Sequence, residues 1–193
     1  MAEIGIFLDR DGTINEEIEF LHAPDQIRLI PKAADAIREF NMLGFKIFIL
    51  TNQSGIAHGI FNENDLKEIH EKLLSILKKS NAKIDHIYYC PHHPEGKIEK
   101  YRKICNCRKP MTGMFEIAAK EYNINLSRSF VIGDKKIDIE AGNNCGAFSI
   151  LVLTGYGKSE LERCRETNTK IDFVAEDLYN AVQFIKNKSM EKV

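Results

Sequence analysis

Residues 6–15, Ile-Phe-Leu-Asp-Arg-Asp-Gly-Thr-Ile-Asn, place two carboxylates directly after a short apolar run. The run over residues 4–8 predicts a buried strand, and Gly12 ends it. Asp9 and Asp11 therefore stand where a strand gives way to a loop, which in open α/β sheets is the edge that binds ligands. Two anions so close repel each other, and a metal cation commonly compensates for the repulsion. Taken alone, the stretch could equally be an acidic turn, because Asp and Gly are ordinary turn residues.

A second polar segment, residues 51–55, follows an apolar run that predicts the next strand. The Thr51 hydroxyl and the backbone N–H groups after it could donate to a phosphate oxygen at the same sheet edge. By itself the segment Thr-Asn-Gln-Ser-Gly could also be a plain polar turn.

Two further segments supply cations and another carboxylate. Lys109 could act as a point charge on phosphate, and Arg108 offers a planar fork for bidentate contact. Asp134 follows a predicted strand, and Asp138 comes four residues later. Basic residues in a loop are usually solvated, and Asp134 could simply cap a helix.

A cluster of cysteine and histidine lies between residues 90 and 110 with the spacing C-x-H and then C-x-C. Three thiolates and one imidazole suit a tetrahedral Zn²⁺ site, and four protein ligands leave no open position, so we expect structural zinc that staples this loop. The expected ligands are Cys90, His92, Cys105 and Cys107. Spacing alone leaves His93 as an alternative to His92.

Apolar runs and helical patterns alternate along the chain, which predicts a parallel sheet with helices on both faces. We therefore expect an α/β fold, a Rossmann-like three-layer domain that spans residues 1–193 without a large cap domain. The predicted strands after the first lie at 45–50, 87–89, 129–133, 148–153 and 172–174. The predicted helices begin near Pro31, after residues 62–65, at 113 and at 137, with two more in the tail, one before and one after the strand at 172–174.

The composition restricts the function. The chain has 193 residues, of which 44% are hydrophobic and 28% charged, and a net charge of −1. This charge gives no electrostatic reason to bind nucleic acid or an anionic membrane. No secretory signal or apolar run of about 20 residues is visible. Five cysteines, an odd number, argue against a disulfide framework. We expect a cytoplasmic monomer.

Residues 9–13 resemble the D-x-D-G-T motif of the haloacid-dehalogenase-like hydrolases, and the segments around 51, 109 and 134 follow in that family's order. The resemblance implies that Asp9 is the nucleophile and Asp11 the general acid/base. It also implies that Thr51 and Lys109 bind the transferring phosphoryl group. Mg²⁺ would be held by the Asp9 carboxylate, the Asp11 backbone carbonyl and Asp134, with Asp138 supporting the site through water or Lys109.

Longer runs of matching sequence restrict the resemblance to one family within these hydrolases. The runs F-L-D-R-D-G-T-I-N, T-N-Q-S-G-I-A, Y-Y-C-P-H-H-P-E-G, C-x-C-R-K-P and G-D-K are similar to those of the D-glycero-D-manno-heptose-1,7-bisphosphate 7-phosphatases. This similarity covers residues 4–174. It implies hydrolysis of a small phosphorylated sugar, by removal of its 7-phosphate, in nucleotide-heptose synthesis for surface polysaccharide. The related histidinol-phosphate phosphatases supply the alternative substrate.

One segment departs from that family. Where its members carry a His-Gly-Tyr-like segment, residues 17–20 read Glu-Ile-Glu-Phe. Acidic side chains there would repel a second phosphate but could accept hydrogen bonds from sugar hydroxyls. For that phosphate Arg108 is the first candidate and Lys135 the second. The expected substrate-binding residues are Glu17, Ile18, Glu19, Phe20, Thr51, Asn52, Gln53, Ser54, Arg108, Lys109 and Lys135.

Two other classes of protein share parts of the pattern. A receiver-like signalling domain also combines an acidic pocket, Mg²⁺ and a phosphorylatable Asp, but it is shorter and would lack an acid/base at Asp11. A zinc-binding nucleic-acid module would need a basic face, which a net charge of −1 does not suggest. The sequence therefore favours a phosphatase.

Overall fold

A computed structural model describes residues 2–190. In these residues six strands form one sheet, and all of its pairings are parallel. The strands are β1 (Gly5–Leu8), β2 (Lys46–Asn52), β3 (His86–Cys90), β4 (Phe130–Gly133), β5 (Phe148–Val152) and β6 (Phe173–Ala175). The α-helices are α1 (Ala33–Met42), α2 (Ser54–Ala57), α3 (Glu63–Lys79), α4 (Gly113–Tyr122), α5 (Lys136–Asn144), α6 (Gly157–Glu166) and α7 (Leu178–Met190).

The strand order is β3-β2-β1-β4-β5-β6, so the chain builds one half of the sheet and then crosses to the other side of β1. Parallel sheets bind ligands outside the carboxyl ends of the strands where the order reverses. Here that place lies between β1 and β4, which are followed directly by Asp9 and Asp134.

Successive side chains of each strand point to opposite faces of the sheet, so helices pack on both faces and give the three predicted layers. Ile6 and Leu8 face a core that includes α1, α3 and α7, whereas Phe7 faces a second core with α4 and α5. The Phe7 ring lies 5.2 Å from Phe48 and 5.1 Å from Phe115, which anchors α4 to the middle of the sheet. The predicted Rossmann-like α/β fold is confirmed.

The two segments that cover the carboxyl edge contain little regular structure. Between β1 and α1, and between β3 and α4, the described helical structure consists of single 3₁₀ turns at Pro24–Gln26 and Glu99–Tyr101. Neither segment forms a large cap, as the sequence predicts. Among the described helices, none combines the length and the apolar character that a membrane crossing requires.

Two local predictions need adjustment. β2 was expected to end at residue 50, but it continues through Thr51 and Asn52, which pair in register with Tyr89 and Cys90 of β3. The four-residue helix α2 follows directly and was not predicted. A polar strand end that pairs with a neighbouring strand carries no apolar signal, and a single helical turn is too short for a periodic pattern.

Candidate active site

Three polar side chains converge at the carboxyl ends of neighbouring strands. Asp9 follows β1, Thr51 lies near the end of β2, and Asp134 follows β4. Since β2, β1 and β4 are adjacent in the sheet, these residues meet at one edge. Asp9 is 7% exposed, Thr51 1% and Asp134 0%, so the site is a buried polar centre rather than a surface turn.

Lys109 joins this centre from the loop before α4. Its Nζ lies 2.8 Å from Asp9 Oδ1 and 2.6 Å from Asp138 Oδ1, and it donates to the Leu50 carbonyl at 2.6 Å. Burial opposes the charge, but the carboxylates of Asp138 and Asp9 raise the pKa of Lys109 above its ordinary value, so the ammonium persists. Asp138 thus contacts Lys109, which is one of the two ways in which it is expected to support the site.

Asn52 fixes the backbone of Lys109 against β2. The Asn52 amide donates to the Lys109 carbonyl at 3.1 Å, and its Oδ1 accepts from the Lys109 N–H at 3.0 Å. These two bonds tie the loop to the sheet edge across 57 positions of sequence. Asn52 therefore positions Lys109 in addition to lining the cavity.

The Asp134 carboxylate is held by a backbone hydrogen bond and by close packing against a glycine. Its Oδ2 accepts from the Tyr156 N–H at 2.9 Å, and Gly12, with φ of +81°, leaves no room for a side chain beside the carboxylate. Its Oδ1 is buried without a hydrogen-bond partner among the described residues. Burial, with the charges of Asp9 and Asp138, raises the pKa of Asp134 to about 8.

The carboxylates fit a hard divalent cation. Asp9, Asp134 and Asp138 each offer an oxygen, and these three atoms lie within 4.8 Å of one another. An oxygen-only set with an unpartnered buried oxygen suits Mg²⁺, which would relieve the repulsion that raises the Asp134 pKa. Asp138 joins the expected pair of Asp9 and Asp134 in this cluster.

The Asp11 carboxylate is not a member of the cation cluster and is held by four hydrogen bonds. Arg10 makes two of them, Nε to Oδ1 at 3.0 Å and Nη2 to Oδ2 at 2.8 Å, and Asn15 and Gln53 donate at 2.8 and 3.1 Å. Burial acts to raise the pKa of Asp11, but the Arg10 charge and these bonds together lower it. The Gln53 amide also donates to Thr51 Oγ1 at 2.7 Å and so links the two residues.

An inner cavity of about 40 Å³ lies at this edge of the sheet. Its lining residues are Asp9, Asp11, Thr51, Asn52, Lys109, Lys135, Ile137 and Asp138. An outer cavity of about 170 Å³ lies against it and shares Asp11, Asn52 and Lys135. The outer lining residues are Asp11, Glu17, Ile18, Glu19, Phe20, Leu21, Asn52, Gln53, Ser54, Gly55, Lys135 and Tyr156. The structure thus brings the expected residues 17–20 and 52–54 to one cavity next to the inner one.

Lys135 bridges the two cavities but already has an anionic partner. Its Nζ lies 2.6 Å from Glu17 Oε2 and 5.0 Å from the centre of the Tyr156 ring. Burial acts to lower the pKa of Lys135, but Asp9, Asp134 and Glu17 raise it, whereas burial raises the pKa of Glu17. Tyr156 was not expected here, because nothing near it in the sequence marks it as a site residue.

Arg108 lies beside the site rather than in the lining of either cavity. It is half-buried, and its Nη1 donates to the His92 carbonyl at 3.3 Å. Its position is therefore set by the cysteine-containing loop.

The four expected zinc ligands come together. The Cys90 Sγ lies 3.5 Å from the Cys105 Sγ and 3.0 Å from the Cys107 Sγ. The His92 Nδ1 lies 3.4 Å from the Cys107 Sγ. The His93 Nδ1 instead accepts from the Glu95 N–H at 3.2 Å, so the geometry selects His92. Burial raises the pKa of the Cys90 thiol, and a soft cation would let these crowded thiols ionise. The Cys₃His set fits Zn²⁺.

Comparison with known proteins places the chain in a family. The HAD-hydrolase-like family model matches residues 106–181. A D-glycero-beta-D-manno-heptose-1,7-bisphosphate 7-phosphatase from Rhodopseudomonas palustris is 44% identical over 140 residues, which are 72% of this chain and 78% of that protein. A D-glycero-D-manno-heptose-1,7-bisphosphate 7-phosphatase from Thermosynechococcus vestitus is 38% identical over 96% of both chains.

A solved structure agrees with these relatives. The D,D-heptose 1,7-bisphosphate phosphatase from B. bronchiseptica, complexed with magnesium and phosphate, has a TM-score of 0.85 and 31% identity to this chain. The match covers 96% of this chain and 99% of that one. By sequence and fold alike, this chain belongs to the D-glycero-D-manno-heptose-1,7-bisphosphate 7-phosphatases, within the haloacid-dehalogenase-like hydrolases.

Proposed function

We propose that the chain hydrolyses the 7-phosphate of D-glycero-D-manno-heptose 1,7-bisphosphate. One observation carries the proposal: Asp9 lies against Lys109 in the inner cavity, and Asp11 stands where that cavity meets the outer one. A phosphoryl group beside Asp9 would then have its ester oxygen near Asp11 and its sugar in the outer cavity. The names of the relatives support the choice of sugar.

In the first step an Asp9 carboxylate oxygen attacks phosphorus, and the bond from phosphorus to the sugar oxygen breaks. The donors around Asp11 lower its pKa in the free site, but the negative charge of a phosphoryl group bound beside it favours the protonated form. Asp11 then gives this proton to the departing oxygen, so that the sugar leaves as a neutral alcohol. The product on the enzyme is a phospho-aspartate at Asp9.

In the second step a water molecule attacks the phosphorus of the phospho-aspartate. Asp11, now a carboxylate, takes a proton from that water. The bond between phosphorus and Asp9 breaks, which releases inorganic phosphate and returns both carboxyl groups to their starting state.

The groups around the phosphoryl position stabilise the charge that develops there. The Lys109 ammonium and the Thr51 hydroxyl would contact the equatorial oxygens, and their burial strengthens both contacts. Mg²⁺ held by Asp9 and Asp134 supplies further positive charge against these oxygens when it is bound.

The outer cavity suits a polyhydroxylated sugar better than a bare anion. Glu17 and Glu19 could accept hydrogen bonds from sugar hydroxyls, and Lys135 is partly neutralised by its ion pair with Glu17. Arg108 therefore remains the first candidate for the second phosphate, since its guanidinium has no carboxylate partner among the described ion pairs.

We further infer a structural Zn²⁺ at Cys90, His92, Cys105 and Cys107. Its support is the close approach of three sulfur atoms and one imidazole nitrogen at the base of the loop. Since Arg108 and Lys109 follow Cys107 directly, a metal at this position would fix the start of the segment that carries both cations.

A panel of substrates tests the assignment. Phosphate release in the presence of Mg²⁺ is measured for both anomers of the heptose bisphosphate, for fructose bisphosphate and for histidinol phosphate. The proposal expects the highest kcat/KM for a heptose bisphosphate. An equal or higher kcat/KM for histidinol phosphate would move the assignment to the alternative, which the relatives' names disfavour.

A further inference from the structure

Arg10 stands between the two catalytic carboxylates in sequence, yet its side chain is 1% exposed. Among the described residues its guanidinium hydrogen-bonds to Asp11 alone, through Nε and Nη2, while Nη1 is buried without a partner. The Nε and Nη2 edge of a buried cation is thus directed at one carboxylate.

A buried ion pair of this kind is weak evidence for stability, because removing two charges from water costs about as much as their attraction returns. A second arginine-to-carboxylate pair on the surface, such as Arg38 with Asp35, would be an ordinary stabilising contact of small effect. The position of the Arg10 pair, beside the group that must move protons, points to a different role.

Bidentate contact fixes orientation as well as distance. Two parallel bonds from Arg10 set the plane of the Asp11 carboxylate, and the amides of Asn15 and Gln53 hold its two oxygens from other directions. The carboxylate is left with little rotational freedom at the junction of the two cavities, where the ester oxygen and later the water would lie.

His70, a buried residue of α3, lies near enough to Arg10 to interact with its charge, and its Nε2 has no partner among the described residues. Burial and the Arg10 charge, opposed by the Asp11 charge, lower the pKa of His70 to about 3, so the imidazole is neutral beside the guanidinium. Among the described ion pairs, Asp11 is the carboxylate partner of Arg10.

We propose that Arg10 is a positioning residue of the reaction, which acts by fixing the orientation of the Asp11 carboxylate for both proton transfers. The inference rests on the proposed function, since it assumes that Asp11 moves the protons. It assigns to Arg10 no contact with substrate.

The leaving group determines how much the first step depends on Asp11. The second step depends on Asp11 whatever the leaving group was. A p-nitrophenolate leaves without protonation, so phosphorylation of the enzyme by p-nitrophenyl phosphate needs little help from Asp11. Attack of water on the phospho-aspartate still needs the base. Misplacement of Asp11 should therefore slow decay of the phospho-enzyme but leave its formation from p-nitrophenyl phosphate nearly unchanged.

The test uses Arg10→Met, Arg10→Lys and a destabilised control, Phe40→Leu, which alters the buried core of α1 away from the site. Arg10→Lys keeps the charge but cannot form two parallel bonds, so it serves if Arg10→Met does not fold. Rapid-quench kinetics with p-nitrophenyl phosphate and Mg²⁺ measure formation and decay of the phospho-enzyme separately. With the heptose bisphosphate, formation is measured as well.

We expect decay to slow on the order of 10²-fold in both Arg10 variants, as for a misplaced catalytic group. Formation from p-nitrophenyl phosphate should change little, formation from the sugar bisphosphate should slow, and Phe40→Leu should keep both rates. Wild-type decay in a folded Arg10 variant, or equal slowing of formation and decay with p-nitrophenyl phosphate, would overturn the inference. If the wild type itself forms no phospho-enzyme and releases no phosphate, the proposed function fails instead.

Discussion

Lys109 Nζ lies 2.8 Å from Asp9 Oδ1, although 100 positions of sequence separate the two residues. The contact joins the end of β1 to the loop that precedes α4, and Asp138 completes it at 2.6 Å. The charges of the site are therefore balanced by a cation from a segment that also carries the cysteine cluster.

Replacing Lys109 by Met should affect both stability and activity. The buried carboxylates of Asp9 and Asp138 would lose their cation, and breaking a buried pair in this way costs about 3–5 kcal/mol. Urea denaturation measures the free energy of unfolding, and phosphate release measures kcat. The surface variant Lys67→Met, which removes an exposed i,i+4 pair, is the control. A Lys109→Met protein with wild-type stability would show that the ion pair is not formed in solution.

Metal-free protein should become less stable as the pH rises. The pKa of Asp134 is raised from 3.8 to about 8, so between these values the folded state binds a proton that the unfolded chain has lost. The free energy of unfolding therefore falls with increasing pH in this window. Mg²⁺ competes with that proton, and its effect on Tm should be larger at pH 8 than at pH 6.

Thermal unfolding with EDTA and with Mg²⁺ checks this pH dependence. Asp134→Asn, which cannot titrate, should lose both the contribution to the pH slope and most of the Mg²⁺ effect. An equal Mg²⁺ shift at pH 6 and pH 8 in the wild type would contradict a raised Asp134 pKa.

Zinc is tested by elemental analysis and thermal stability together. The purified chain should carry about one Zn²⁺, and Cys107→Ser should lower both the zinc content and Tm. Cys164→Ser is the matched control, because Cys164 is buried in α6 outside the cluster. A metal-free wild type that keeps its full stability, or equal effects of the two variants, would remove the zinc site.

Arg108 should matter for the bisphosphate more than for a simple ester. Arg108→Ala should cost about 1–3 kcal/mol in kcat/KM on the heptose bisphosphate, as the loss of charged hydrogen bonds does. It should cost much less on p-nitrophenyl phosphate, which lacks a second phosphate. Arg102→Ala, an exposed position in the same loop, serves as the control. Equal losses on both substrates would instead assign Arg108 to the reacting phosphoryl group.

The fold and the meeting of Asp9, Thr51 and Asp134 at one sheet edge could be predicted because they depend on local pattern. Apolar runs that end in Asp9, Thr51 and Asp134 predict strand ends, and in a parallel sheet such ends share one edge. The spacing of the cysteines likewise predicted a cluster that the structure brings together.

The contacts that tune the site could not be predicted in this way. A buried Arg10 is indistinguishable in sequence from an exposed one, since Arg is mostly exposed unless it is paired. His70 lies on the apolar stripe of α3, where the helical period predicts a core residue but not its neighbours. The pairing of Lys135 with Glu17 joins residues that are 118 positions apart. The sequence shows that each residue is charged but not which residue it pairs with.

The central claim is that Asp9 attacks phosphorus, and phosphate release from the heptose bisphosphate by Asp9→Asn tests it most directly. Asn lacks the attacking oxygen but keeps the size of the side chain, so the variant should fold. Circular dichroism should confirm a folded protein. The account predicts no turnover above background with Mg²⁺ present, whereas appreciable turnover in folded Asp9→Asn protein would show that another group attacks.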